Sequence, residues 1–113
     1  NNTLTPNFTT DTAYGVAPYN ANEVTGTNWA SGGVALTGTS LTAAGVGITF
    51  DATDVSVATT TLENARGGLI YADALAGNNA ICLVNFGADY STTAGTFAIA
   101  WNAAGIFTID LTP

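Results

Sequence analysis

The chain has no histidine and no lysine, and Arg66 is its only cationic side chain. Proton shuttling near neutral pH usually falls to histidine, with tuned lysines or carboxylates as alternatives. Nucleic-acid backbones are held by clustered lysine and arginine. Structural zinc is held by grouped cysteine and histidine. A nucleic-acid partner, a zinc centre and a His-dependent active site are therefore not expected. Cysteine is almost missing too. The single Cys82 cannot form an intramolecular disulfide, and it sits in the apolar run Ala80-Ile-Cys-Leu-Val84. With no His or Lys to lower its pKa, it reads as a buried, inert thiol. No apolar stretch approaches the ~20 residues of a membrane-crossing helix, so no membrane partner is expected. Methionine is absent as well. The chain does not begin at a start codon, and a lost leader or a missing upstream segment is expected.

What remains is 47% hydrophobic and 8% charged, with eight carboxylates against one cation and a net charge of −7. Solubility must rest largely on Thr, Ser and Asn. A surface poor in charge loses little when covered by a partner, and charged residues are depleted at interface cores. The composition points to an assembled protein rather than to a reactive pocket. At 113 residues it forms one domain with a core large enough to stand without staples.

Residues 1–32 show no clean period. Pro6, Pro18 and frequent Asn, Thr and Gly predict an extended N-terminal arm or irregular segment. Its aromatic anchors Phe8, Tyr14, Tyr19 and Trp29 are candidate interface residues, packing on their own domain or on a neighbour. Residues 33–113 form the β domain. Gly33-Val-Ala-Leu-Thr-Gly-Thr39 reads as a strand. Val46, Ile48 and Phe50 alternate with smaller residues, as do Val55 and Val57, with a tight turn at Ala52-Thr53. Gly67–Ala72 and Ala80–Phe86 are continuous apolar runs, predicted as central strands buried on both faces. Ala76-Gly-Asn-Asn79 reads as the hairpin connection between them. Phe97, Ile99 and Trp101, then Phe107, Ile109 and Leu111, alternate again. The spacing predicts an all-β fold, an antiparallel sandwich or barrel of about seven strands. A helical turn near Leu62–Ala65 is compatible but not required. The core is expected from Leu69, Ile70, Ile81, Leu83, Phe86, Phe97, Ile99, Trp101 and Phe107.

Candidate sites are few. Arg66 is expected to form a structural ion pair with Glu23, Glu63 or Asp89, with anion binding as the other reading. Asp51 and Asp54 flank a turn, but they lack the alternating oxygens and the glycine of a calcium loop. Turn chemistry is the expectation there. Ser31-Gly-Gly33 is not a nucleophile elbow. No phosphate-binding loop is present, and no carboxylate pair is marked for glycoside hydrolysis. The Thr-x-Thr pairs keep no fixed period, which argues against an ice-binding face. No catalytic residue and no cofactor is expected.

Three stretches share one order: Ala65-Arg-Gly-Gly-Leu-Ile-Tyr-Ala-Asp-Ala74, Ala80-Ile-Cys-Leu-Val-Asn-Phe-Gly-Ala-Asp89, and Thr93-Ala-Gly-Thr-Phe-Ala-Ile-Ala-Trp101 followed by Gly105-Ile-Phe107. This order resembles a family of small virion-associated proteins of tailed bacteriophages. Asn22–Thr27 and Thr49–Val55 match the family's texture upstream. The resemblance implies a non-enzymatic structural protein on the capsid exterior, a head decoration or cement subunit. Its partners would be the major capsid protein and copies of itself, as dimers or trimers. A minor tail protein is the alternative within the family, and a secreted carbohydrate-binding or adhesin-like module the alternative outside it. Two departures stand out. Family members usually carry a further N-terminal strand, and Asn102 stands where the family has Asp.

Overall fold

The structure is a computed structural model that describes residues 1–112. It is all-β, with five strands where the spacing predicts about seven. They are β1 (Ser40–Ala44), β2 (Gly47–Asp51), β3 (Val55–Ala72), β4 (Asn79–Ile99) and β5 (Phe107–Asp110). Among the described residues the one helical element is a single 3-10 turn at Asn20–Asn22. Strands β1-β2-β5 form one antiparallel sheet and β3-β4 a second, and neither closes into a barrel.

The smaller count has a simple origin. The apolar runs at Val55–Val57 and Gly67–Ala72 are two ends of one 18-residue strand, and Ala80–Phe86 and Phe97–Ile99 are two parts of one 21-residue strand. The threonine-rich link at 58–66 continues the ribbon and makes no helical turn. Straight strands of this length would run about 60–70 Å, yet the longest dimension of the molecule is 45 Å. The ribbon bends because its register slips repeatedly between Val57 and Gly67. Thr59 and Asn64 on β3, and Gly87 and Ala94 on β4, take positive φ. Such bulges insert unpaired residues and bend the strand.

The bulges also decide what is buried. Strict alternation would send Leu62 and Ala65 to opposite faces. The extra residue at Asn64 resets the parity, so Leu62 and Ala65 are both buried and pack with Phe97. Val24, Trp29, Phe86 and Ile99 surround this cluster, with the Trp29 ring edge-on to Phe97 at 5.3 Å. Thr60, fully buried, is satisfied by a relay. The Leu62 amide donates to Thr92 Oγ1 at 3.2 Å, the two hydroxyls share a 2.8 Å bond, and Thr60 donates to the Gly95 carbonyl at 3.0 Å. Thr60 has one proton and gives it to Gly95, so Thr92 is the donor between the hydroxyls.

Three further expectations fail. Gly33–Thr39 lies outside the strands because Gly32, Gly33 and Gly38 all take positive φ. The pairing strand is instead β1, which follows directly. Gly67–Ala72 and Ala80–Phe86 are not buried on both faces. A two-stranded ribbon has too few neighbours, and Ile81 stays 48% exposed. Trp101 and Phe107, expected in the core, are half-buried and outside the central cluster.

The chain changes sheet between β2 and β3. Asp54 accepts from the Trp101 amide at 2.8 Å, and the Thr53 carbonyl accepts from the Trp101 indole at 3.2 Å. These bonds tie the outgoing loop to the returning one. The three-stranded sheet is amphipathic. Its register sets Leu41, Phe50 and Phe107 in one row and Ala43, Ile48 and Ile109 in the next row of the same face. Thr42, Thr49 and Thr108 take the opposite face, where Thr49 and Thr108 share a 2.9 Å hydroxyl bond.

Residues 12–36 wrap the ribbon. Ala13 bridges to Asn79 at one edge and Thr27 to Thr61 at the other. At the second crossing only glycine fits, since a Cβ on Gly26 would collide with the Thr61 carbonyl. Gly26→Ala should therefore cost about 1–3 kcal/mol through backbone displacement. Gly15→Ala, with nothing near its Cβ position, should stay within about 0.5 kcal/mol of the parent. Urea unfolding of both variants reads the contrast, and equal midpoints would contradict the close approach.

Candidate functional site

The feature with functional content is a large apolar trough rather than a cluster of reactive groups. Its volume is about 1010 Å³, the scale of a site that takes a sizeable ligand or a peptide segment. Its lining draws on β3 and β4 (Leu62, Ile70, Leu83, Phe86), on β2 (Phe50) and on the N-terminal segment (Leu4, Tyr14, Trp29). The ribbon and the N-terminal segment thus supply most of the space, and the smaller sheet contributes Phe50 alone. Only six apolar residues of the described chain are buried, whereas Phe8, Leu41, Ile81 and Ile109 lie between 48% and 74% exposed. Of these four, Phe8 and Ile81 line the trough.

One carboxylate organises the trough's N-terminal side. Glu23 accepts from the Tyr14 hydroxyl at 2.8 Å, the Ser31 hydroxyl at 2.8 Å and the Gly32 amide at 2.7 Å. The Gly32 carbonyl in turn accepts from Tyr71 at 2.9 Å, and the Tyr14 and Tyr71 rings stack at 4.6 Å. The sequence signals Glu23 only as a possible partner of Arg66. Its actual partners depend on the turn at Gly32 and Gly33, which local composition does not specify.

The four arm aromatics separate. Tyr19 is 5% exposed and buried in its own chain. Tyr14 is held by Glu23 and Tyr71, and Trp29 packs on Phe97. Phe8 alone projects, at 74% exposure. Arg66 lies on the surface 3.4 Å from Asp89, one of the three carboxylates considered for it. Such exposed pairs contribute little, about 0–1 kcal/mol. Asp51 accepts from the amide of the adjacent Ala52 at 2.9 Å, and Asp54 from the amide of the distant Trp101, so both carboxylates serve backbone, one locally and one across the fold. Among the described residues, no group of three or more His, Cys, Asp or Glu side chains is placed to hold a metal ion. No described helix is long and apolar enough to cross a membrane.

Cys82 is half-buried, and burial pushes its thiol up. Burial also raises the Tyr19 hydroxyl, with Asp11 adding to it. Tyr71 is raised by burial first, then by Asp73, Tyr14 and Glu23. No protein-family model, curated protein or solved structure matches the chain.

Two outcomes follow. Glu23→Ala leaves three donors without their acceptor and should destabilise by about 1–3 kcal/mol; Glu23→Gln, which keeps an acceptor oxygen, should lose less. Equal denaturation midpoints for all three chains would refute the Glu23 hub. The raised thiol and phenols stay protonated in the folded chain where the unfolded chain has already lost the proton. The folded state then binds more protons, so stability should fall as pH rises through about 9–10 and beyond. Unfolding free energy measured from pH 7 to 11, with tyrosinate absorbance alongside, reads this. A flat profile would contradict it.

Proposed function

We propose that this chain is a non-enzymatic virion structural protein of a tailed bacteriophage, a head decoration or cement subunit. Its work is binding. It attaches to the assembled capsid lattice and not to free capsid subunits, so its binding free energy adds to the stability of the lattice. The observation that carries an assembly role is the open apolar trough on the β3-β4 ribbon, bordered by the N-terminal segment and by Phe50 of the smaller sheet. We read the two sheets as the halves of a β-sandwich that is completed only on assembly. The virion assignment is supported by the ordered stretches at Ala65–Ala74, Ala80–Asp89 and Thr93–Trp101.

The scarcity of charge fits the same reading. An interface free of lysine, with Arg66 on the surface beside Asp89, loses little solvation when covered. The partners proposed are the major capsid protein and further copies of this chain on the capsid exterior. Glycan recognition is the weaker reading, because sugar stacking needs free aromatic faces. Among the trough aromatics Tyr14 and Tyr71 cover each other and Trp29 is packed with Phe97, which leaves Phe8 as the single strongly exposed ring rather than an aligned row.

The test is copy number per purified particle, by quantitative mass spectrometry on separated heads and tails. Hundreds of copies in the head fraction are expected. A few to tens in the tail fraction would reassign the chain to the tail, and absence from particles would overturn the virion reading altogether.

A further inference from the structure

Residues 3–9 carry a strand pattern that the chain does not use. Leu4, Pro6 and Phe8 are spaced by two, with Thr3, Thr5, Asn7 and Thr9 between them. Such alternation places one apolar row on one side of an extended segment. Yet this stretch forms no strand in its own chain. Leu4, Pro6 and Phe8 all reach the lining of the trough, but Phe8 stays 74% exposed and is not seated there. Leu4 and Pro6 are half-buried against their own chain, and the N-terminal amine donates to the Asn22 carbonyl at 2.7 Å, but the remaining side-chain hydrogen bonds of the stretch are on the surface. Asn2 donates to Asp89 at 2.9 Å, Thr3 to Asn22 at 2.8 Å, and the Asn7 amide to Asp11 at 2.6 Å, all exposed. Each is worth about 1 kcal/mol or less.

The trough presents the complement. Beside its apolar lining run strand edges that, among the described residues, are bridged only at Thr61 and Asn79. An extended segment with apolar side chains at alternate positions satisfies the edge and the lining together. Pro6 is compatible, because an added strand is an edge strand and proline is tolerated there. Charge does not oppose it. The chain carries −7, but residues 1–10 contain no charged side chain, and the charged residues of the trough lining are only Glu23, Arg66 and Asp73.

We propose that two copies of this chain exchange residues 3–9, each adding them as a strand to the partner's ribbon and seating Phe8 in the partner's trough. The exchange is reciprocal, so it closes as a two-fold dimer. The turn at Asn7–Asp11, where the amides of Thr10 and Asp11 donate to the Asn7 carbonyl, is the hinge that must open. This deepens the assembly reading by naming one of its partners. It is tested without any virion, so either can fail alone.

The experiment uses the full chain. Sedimentation equilibrium over a wide concentration range should show a monomer–dimer equilibrium for the parent. Phe8→Asp should weaken it about 10- to 100-fold while leaving circular dichroism unchanged, because Phe8 is exposed within its own fold. Leu75→Asp removes another exposed apolar side chain (54%), one that does not line the trough, and should leave the equilibrium unaltered. A photo-crosslinking residue at position 8 in a mixture of heavy- and light-isotope chains should give mixed cross-links into the peptide containing Leu83 and Phe86. A monomer at every concentration, equal effects of the two substitutions, or cross-links confined within single chains would overturn the exchange.

Discussion

A two-stranded ribbon has two faces, two edges and one partner for each strand. That constraint governs this molecule. An isolated hairpin is marginal in water unless something covers one of its faces. Here the long pair β3-β4 is covered by the chain that precedes it. Residues 12–36 bridge both edges, and Trp29 and Val24 supply the packing over Leu62, Ala65 and Phe97. The Glu23 carboxylate fixes the conformation of this covering segment through three donors. The cover is nevertheless narrower than the ribbon. What it leaves uncovered, with Phe50 of β2 at its border, is the trough.

The alternation of Ile48 with Phe50, and of Phe107 with Ile109, is legible because these strands are regular and amphipathic. The turn around Ala76–Asn79 is legible from its Gly and Asn. The segment 58–66 is not. Its buried residues Thr60, Leu62 and Ala65 follow no period of two, since bulges reset the facing between them. One strand therefore reads as two, and the number of strands is overstated. Residues 33–39 mislead in the opposite direction. Val34 and Leu36 alternate, but the glycines around them adopt a backbone that a strand does not use. The trough is the least legible feature of all. It is a space between elements, and no local pattern of residues encodes a space.

The carboxylates are spent on geometry rather than on charge pairing. Glu23 caps a turn and holds a tyrosine, Asp51 and Asp54 hold backbone amides, and Asp89 alone faces a cation. Threonine takes over work that charged side chains do in other proteins. It satisfies the buried ribbon through the relay of Thr92, Thr60 and the Gly95 carbonyl. It also covers the solvent face of the smaller sheet, where Thr49 meets Thr108. Uncharged polar groups make a surface that water wets and a neighbour can dehydrate at modest cost.

The bulges of the ribbon carry one more consequence. Open strand edges beside apolar surface are the usual seed of amyloid, in which identical segments stack in register and grow without limit. In-register stacking demands straight, evenly pleated edges. Positive φ at Thr59, Asn64, Gly87 and Ala94 kinks both edges of this ribbon at several points. A kinked edge accepts a short, shaped strand but offers no template for endless addition. The same irregularity that hides these strands from a reading of the sequence thus makes the open edges of the ribbon poor templates for polymerisation.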